Sequence, residues 1–346
     1  MKVVKIGDKW VGDKHPCFIS VEPGATHTGL KSAKRLAKAA KESGVDAVKF
    51  QTLDTDELMS IYSQSQTIEY KTKEGWKKES LYNALKRREL TFDEWRELKE
   101  YCDKIGILFI SAPSGPKTVD LLADINSAAI KILKSDVNNR YLIRLAAKKH
   151  LPIILDAREK FQDVEAAIQI CEDEGNDQVI IMHCPSGYPT EHAGIHLNVI
   201  PYIKGIFGRP VAYSDHSLGD YMNYAALGMG VNFIEKTISL NKNTDAVEHF
   251  MSLEPEEIKI FVERIRSVEQ AFGNPRVIFS SRVKIEHRRS IVTKRDIMKG
   301  EKFTLENIKF QRPGNFLSVE RYEELLNKKA IRDIPKDNFV RENDFE

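Results

Sequence analysis

Residues 17–52 read CFISVEPGATHTGLKSAKRLAKAAKESGVDAVKFQT. The stretch opens on an apolar run, CFISVE (17–22), passes through SAKRLAKAAKESG (32–44) with helical apolar spacing, and closes on a second run, AVKFQT (47–52). An apolar strand, an amphipathic helix and another such strand form one unit of a parallel sheet covered by helices. The alternation continues. Further runs are ILFISA (107–112), AAIKILK (128–134), PIILDA (152–157), QVIIMHC (178–184), PVAYSDH (210–216) and VNFIEKT (231–237), with helical segments such as TFDEWRELKEYCDKIG (91–106) between most of them. Eight units predict an α/β fold, a closed (β/α)8 TIM barrel, whose site lies at the C-terminal ends of the strands. Those ends carry Glu22, Lys49, Gln51, Lys134, Asp156, His183, His216 and Glu235.

The chain has 346 residues, long enough for one large domain and a small one. Its 53 basic and 51 acidic residues leave a net charge of +2, which predicts no nucleic-acid or membrane surface. KTKEGWKK (71–78) reads as a solvated loop. Cys17, Cys102, Cys171 and Cys184 lack metal-ligand spacing and read as buried free thiols, suiting a reducing compartment. No long apolar run occurs, so a cytoplasmic location is expected.

Residues 1–16 are expected to form a hairpin turning at Gly12-Asp13, a lid on the barrel bottom. The polar connection 54–89 follows the second barrel strand and is expected to hang over the mouth as a substrate-covering loop. The eighth helix opens at Ser252-Leu253-Glu254-Pro255 and stops at Gly273. Beyond it the pattern becomes short, charged and β-leaning. The expected division is a barrel domain over 1–276, a linker over 277–283 and a small β-rich domain over 284–346. Within the last, RDIMKGEKFTLENI and RDIPKDNFVRENDF resemble one another, a sign of internal duplication.

His216 directly follows an apolar strand, where an imidazole can bind a divalent metal or transfer protons. A histidine hydrogen-bonded within its loop is the alternative. Glu22, Asp156 and Glu235 can act as acid, base or metal ligand, or simply pair with Lys49, Lys131, Lys134 and Lys236. Carboxylates and lysines around one mouth suit a small, polar, anionic substrate. By spacing alone, Arg312 in Gln311-Arg312-Pro313-Gly314-Asn315 reads as a turn residue. The residues by themselves go no further.

Across nearly its whole length, however, the chain resembles the N-acetylneuraminate (sialic acid) synthase family, including the pseudaminic and legionaminic acid synthases. The matching residues are Glu22, Gly24, His27 and Gly29 in the first loop, then Ala47–Thr52, His183-Cys184 and Tyr188-Pro189-Thr190. Ser214-Asp215-His216, Glu235-Lys236, Ser252–Pro255, Arg288-Arg289-Ser290 and Arg312–Asn315 follow in order. The resemblance implies a C-terminal antifreeze-like (SAF) domain and a domain-swapped homodimer, with Arg312 entering the partner's site. It also implies a C–C bond-forming transferase of polysaccharide biosynthesis. Such an enzyme condenses phosphoenolpyruvate with an N-acylated amino sugar aldehyde, giving a nine-carbon (nonulosonic) α-keto acid and phosphate. Manganese or magnesium would polarise the aldehyde.

Carried onto this sequence, Lys49, Gln51, Ser186 and Tyr188 would hold phosphate or carboxylate. Ser111, Asp156 and Ser214 would complete the substrate-binding set. Glu22 and Glu235 would manage protons, His216 would bind metal, and Arg312 would meet the sugar's N-acyl end.

Five strand-end or loop positions depart from the family pattern. Thr237 replaces a second metal-binding histidine, and a threonine hydroxyl is a poor manganese ligand. Ala112 replaces a hydroxyl donor. Lys134-Ser135-Asp136 and Asp156-Ala157-Arg158-Glu159 replace serine-containing ends, and Thr26-His27-Thr28 replaces Asn-His-Asn. Lys134 is open to three readings: a salt bridge with Asp156, a cation in place of the metal, or a Schiff-base lysine. The expected protein is a nonulosonic acid synthase with altered acceptor or metal use. The rivals are a keto-acid lyase or aldolase working through Lys134, and a non-catalytic sugar-binding relative.

Overall fold

The computed structural model describes residues 2–63, 65–158, 160–274 and 284–346. The chain divides into two compact units, Met1–Ala271 and Phe272–Glu346. The expected linker at 277–283 lies outside the described residues.

In the first unit, β1 (Val4–Ile6) and β2 (Lys9–Val11) form an antiparallel hairpin. The expected turn at Gly12-Asp13 is displaced. Ile6 pairs with Lys9, so the chain reverses at Gly7-Asp8, where Gly7 takes φ +58 at little cost. This register sends Val4, Ile6 and Val11 onto one apolar face.

Eight parallel strands follow: β3 (Phe18–Glu22), β4 (Ala47–Thr52), β7 (Leu108–Pro113), β8 (Ala129–Ile132), β9 (Ile153–Asp156), β10 (Val179–His183), β11 (Val211–Asp215) and β12 (Phe233–Thr237). They close into a barrel in chain order, sealed by β12 against β3, where Thr237 pairs with Glu22. All eight runs read from the sequence are barrel strands.

The strand pleat divides each run between two cores. Phe18, Ala47, Ile110, Ala129, Ile154, Ile180, Ala212 and Phe233 face inward and pack with Val4, Ile6 and Val11, so the hairpin plugs the barrel bottom. Ile19, Val21, Val48, Phe50, Phe109, Leu155 and Tyr213 face outward, toward the helices.

The helices on that outer face are α1 (Leu30–Glu42), α4 (Phe92–Ile105), α5 (Pro116–Asp124), α6 (Arg140–Ala147), α7 (Phe161–Asp173), α8 (Val199–Phe207), α9 (Tyr221–Gly228) and α10 (Pro255–Phe272). Local chemistry sets their ends. Thr91 and Glu94 form a capping box at the start of α4, and Gly106 closes it in the left-handed conformation. Among the described residues no helix is long and apolar enough to cross a membrane.

The connection 54–89, expected as a loop, is folded. It holds α2 (Thr55–Leu58), the hairpin β5 (Thr67–Thr72) and β6 (Gly75–Ser80), and α3 (Leu81–Lys86). Alternation in TIEYKT buries Tyr70 and Thr72 on one face, the period that the reading of 71–78 as a loop overlooked. Lys77 pairs with Glu74 and Asp245, and Lys78 with Glu69, so its lysines are solvated ion-pair partners. The Lys71 N–H donates to the Tyr188 carbonyl at 3.0 Å, docking the hairpin on the loop after β10.

The second unit has its own core of Ile291, Ile297, Phe303, Ile308, Leu317, Leu325, Ala330, Ile334 and Val340. Its regular elements are β13 (Ser290–Thr293), β14 (Ile308–Gln311) and α11 (Tyr322–Leu325). The duplicated phrases meet as symmetry mates. Ile297 and Ile334, at matching positions, exchange backbone hydrogen bonds of 2.9 and 2.8 Å. The Lys299 N–H donates to Asp333 and the Lys336 N–H to Asp296, each at 2.7 Å.

One buried pair ties β11 to β12 on the helix side of the barrel. Asp215 accepts from Lys236 at 2.9 Å, and both side chains are fully buried. It also accepts from the Ser217 N–H and hydroxyl, Asn223 and Tyr213. Burial alone would raise its carboxyl, but Lys236 and these donors hold it below the usual range. Asp215→Ala would leave the Lys236 ammonium buried and unpaired. Urea unfolding should then show a loss of about 3–5 kcal/mol.

Candidate functional site

The inward parity that builds the bottom core continues upward into charge. Above the apolar layer the lumen receives Ser20 and Glu22 from β3, Lys49 and Gln51 from β4, Lys131 from β8 and Asp156 from β9. Ser214 comes from β11, and Glu235 and Thr237 from β12. Glu22, Lys49, Lys131, Asp156, Ser214, Glu235 and Thr237 are buried, whereas Gln51 is half-buried.

Glu22, Lys49, Lys131, Ser214 and Glu235 form one linked cluster. Lys49 contacts Glu22 directly and lies 3.8 Å from Glu235. Glu235 Oε1 accepts from Lys131 Nζ at 2.7 Å and from Ser214 Oγ at 2.8 Å. Burial disfavours every one of these charges, so each depends on the others. Burial pulls the Lys49 ammonium down to about 8 against the attraction of Glu235, while contact with Glu22 favours the charged form. Burial also opposes ionisation of Glu235, but Lys131 and Lys49 outweigh it and hold the carboxyl below its ordinary range. Lys131 is raised: burial acts downward, and Glu235 overcomes it.

Three of the glutamates at the mouth keep an unused oxygen. Glu22 Oε1, Glu235 Oε2 and Glu248 Oε2 are buried without a hydrogen-bond donor, as are the Ser20 and Thr237 hydroxyls. Buried acceptors without donors are costly, and a polyhydroxylated ligand supplies donors. A Cβ at Gly24 would overlap Glu22 Oε1 and come 3.0 Å from the Gln51 backbone nitrogen, so a side chain there would displace the Glu22 carboxylate.

The loops complete the mouth. Glu248, in the connection after β12, adopts φ +68, a left-handed conformation that strains a residue bearing a Cβ. Its carboxylate lies within electrostatic reach of His216, Lys49, Arg88 and Tyr188. Arg88 is buried; its Nε donates to the Ala84 carbonyl at 2.8 Å and Nη1 to the Gly24 carbonyl at 3.4 Å. His216 packs edge-on against Tyr188, with ring centroids 5.5 Å apart. Its Nδ1 is 3.9 Å from Cys184 Sγ, and burial lowers its pKa. All four cysteines are free and buried, as expected.

Several expected site residues lie elsewhere. Ser111 has outward parity, and its hydroxyl meets Thr52 Oγ1 at 2.7 Å. His183 also points outward; its Nε2 meets the Ile195 carbonyl at 2.6 Å and its ring stacks on Tyr213. Lys134 lies beyond the end of β8 in a 3-10 turn, Lys134–Asp136, and is exposed. The lysine that β8 places in the lumen is Lys131, three residues earlier. The salt bridge considered for Asp156 has a different partner, Arg158, with Nη2 2.6 Å from Oδ2. Exposed Ser186 and half-buried Tyr188 stay at the mouth, in the loop after β10, whereas Arg312 is exposed at the end of β14 in the second unit.

Lys131 had a signal in the sequence. A lysine inside the apolar run AAIKILK shares the pleat parity of Ala129, so it faces inward. Arg88 had none, because only the folding of a long connection brings it to the mouth.

A divalent cation finds a poor donor set. Among the described residues no group of three or more His, Cys, Asp or Glu side chains is placed to hold a metal. His216 offers one imidazole and Glu248 one unpaired carboxylate oxygen within its electrostatic reach, but Thr237 stands where the resemblance implies a second histidine, and His249 is engaged by Ser239 at 2.7 Å. These residues do not fit the expected manganese or magnesium site.

Fold and mouth together define a (β/α)8 barrel with a lysine–glutamate centre. The chain belongs to the NeuB family, whose model matches residues 36–276, and a SAF domain matches residues 288–346. It is 32% identical to the N,N'-diacetyllegionaminic acid synthase of Campylobacter jejuni, over 94% of this chain and 99% of the relative. It is 38% identical to an uncharacterised protein of Methanocaldococcus jannaschii, over 98% of each. Among solved structures, the N-acetylneuraminic acid synthetase of Leptospira borgpetersenii superposes with a TM-score of 0.72 at 26% identity, covering 81% of this chain and 93% of that one.

If Lys49 must be an ammonium, kcat/KM should fall as pH rises through about 8, well below the usual lysine range. A pH–rate profile checks this. A flat profile to about pH 10, near the ordinary lysine value, would remove Lys49 from that role.

Proposed function

We propose that this protein condenses phosphoenolpyruvate with an N-acylated amino sugar aldehyde, giving a nine-carbon α-keto acid and phosphate. The observation that carries this reading is the lumen itself, where two lysines stand among carboxylates with unused buried oxygens. Ammonium groups attract the donor's phosphate and carboxylate, and carboxylates accept from sugar hydroxyls. Family membership and relatives named as legionaminic, pseudaminic and N-acetylneuraminate-9-phosphate synthases support it.

In this reading the enolpyruvyl C3 attacks the aldehyde carbon and the aldehyde oxygen takes a proton. Lys49, its pKa pulled toward 8, is suited to give that proton, with Glu22 in contact to replenish it. Water then adds to the electron-poor C2 carbon and loses a proton to Glu22 or Glu235. The tetrahedral carbon expels phosphate, which carries a proton away. No step passes through a metal. The reading also includes a cytoplasmic homodimer in which Arg312 serves the partner's acceptor.

The aldolase reading needs Lys134 at the reacting carbon, and Lys134 is exposed beyond β8. Lys131 does not replace it, because its raised pKa opposes the neutral amine that a Schiff base requires.

Phosphate release from phosphoenolpyruvate should appear with at least one member of a panel of N-acylated hexosamines, and mass spectrometry should find the nine-carbon product. Absence of release with every aldose would refute the reading and favour the non-catalytic relative. In EDTA, turnover should persist; loss that manganese restores would overturn the metal-free route. Arg312→Ala should raise KM for the acceptor by about tenfold, with KM for phosphoenolpyruvate little changed.

A further inference from the structure

At the end of β9 the chain builds an ion pair of unusual economy. Asp156 is fully buried, and Arg158, two residues on, folds back over it with 14% of its side chain exposed. The Asp156 carboxylate accepts from Arg158 Nε at 3.0 Å to each oxygen, from Nη2 at 2.6 Å, and from the Arg158 backbone N–H at 3.2 Å. The aspartate is satisfied. The guanidinium is not, since Nη1 donates to no acceptor among the described residues.

That unused edge has somewhere to look. Arg158 interacts electrostatically with Cys184, Tyr188 and His216, all at the mouth. It also lines an open cavity of about 690 Å³ beside the mouth, with Ser186, the outward-facing His183, and Phe161 and Tyr202 from α7 and α8. A purely structural pair would be expected to use both partners fully, because burying charge is costly unless geometry and hydrogen bonding repay it. Here one side of the fork is anchored and the other is offered.

The lumen is also polarised. The unused carboxylate oxygens belong to Glu22, Glu235 and Glu248, on β3, β12 and the connection after β12. Those acceptors suit hydroxyls and repel an anion. Lys131 and Arg158 lie on β8 and directly after β9, which are neighbours in the barrel. The β8–β9 side thus offers an anion two cations, whereas Lys49 and Arg88 lie among the unused carboxylate oxygens of Glu22 and Glu248.

We propose that Arg158, positioned by Asp156, binds the phosphate of the substrate at the β8–β9 side of the mouth. This rests on the reading of phosphoenolpyruvate as donor. Phosphate offers two oxygens to a guanidinium edge, which lysine does not match in shape. Arg158 is a binding residue and Asp156 a positioning residue.

Two measurements test this. In steady-state kinetics, Arg158→Gln should raise KM for phosphoenolpyruvate by roughly thirtyfold or more, with the acceptor's KM little changed. Arg158→Lys keeps the charge, loses the fork and should fall between; it also serves if the glutamine variant does not fold. Asp156→Asn should move the same KM in the same direction, and the double variant should lose little beyond Arg158→Gln. A residue that only stabilised the barrel would lower melting temperature without this split.

In calorimetry on the unreacted full-length protein, inorganic phosphate should bind the wild type and bind Arg158→Gln or Arg158→Lys more weakly. Pyruvate, a carboxylate without phosphate, should be unaffected. Equal phosphate binding by folded variants, no phosphate binding by the wild type, or loss of pyruvate in place of phosphate would overturn the proposal. If the wild type binds phosphate through Arg158 but turns over no phosphoenolpyruvate, the proposed reaction fails and the phosphate site stands.

Discussion

The linked charges Glu22, Lys49, Glu235 and Lys131 constrain the rest of the barrel. Two carboxylates and two ammonium groups occupy a lumen with almost no exposed surface, and only as a set do they avoid an uncompensated buried charge. Their four strands must hold their registers for the set to close. A slip of one residue would send each charge outward into the helix-facing core and bring an apolar side chain into the mouth. The apolar plug beneath, completed by the N-terminal hairpin, gives the cluster an apolar floor.

The same pleat that assembles the site explains which residues left it. Ser111 and His183 stand at strand ends but on the outward parity, and each finds a partner there, Thr52 or the Ile195 carbonyl. Lys134 lies past the last lumen-facing position of β8, where the chain has already turned into a 3-10 helix. Lys131, buried inside the apolar run, is the inward residue. Counting parity along each run separates these groups better than proximity to its end, because the side-chain period of a strand is two.

In the proposed mechanism Thr237 and the Asp156–Arg158 pair bear on different steps, the first on how the aldehyde is activated and the second on how phosphate is held. Thr237 leaves His216 without a second imidazole, while Arg158 adds a fixed cation across the mouth. A guanidinium held by a buried carboxylate keeps its charge across the working pH range and needs no uptake from solution. Glu248, strained at φ +68, adds a carboxylate on the acceptor side. Under the proposed reading the site separates anion-binding from hydroxyl-binding surfaces within one barrel mouth.

The eight strands, the helices between them, the change of pattern before the small domain and the duplication within it were all legible in the order of residues. These are local periodicities of 2 and 3.6 residues, and burial of the apolar face enforces them wherever the chain goes. The strand-borne members of the cluster were legible in the same way. Three-dimensional packing alone established that Arg158 rather than Lys134 meets Asp156 and that Arg88 reaches the mouth. Those contacts join residues whose spacing carries no period, so they exist only once the barrel has closed and each loop has found the surface that buries it.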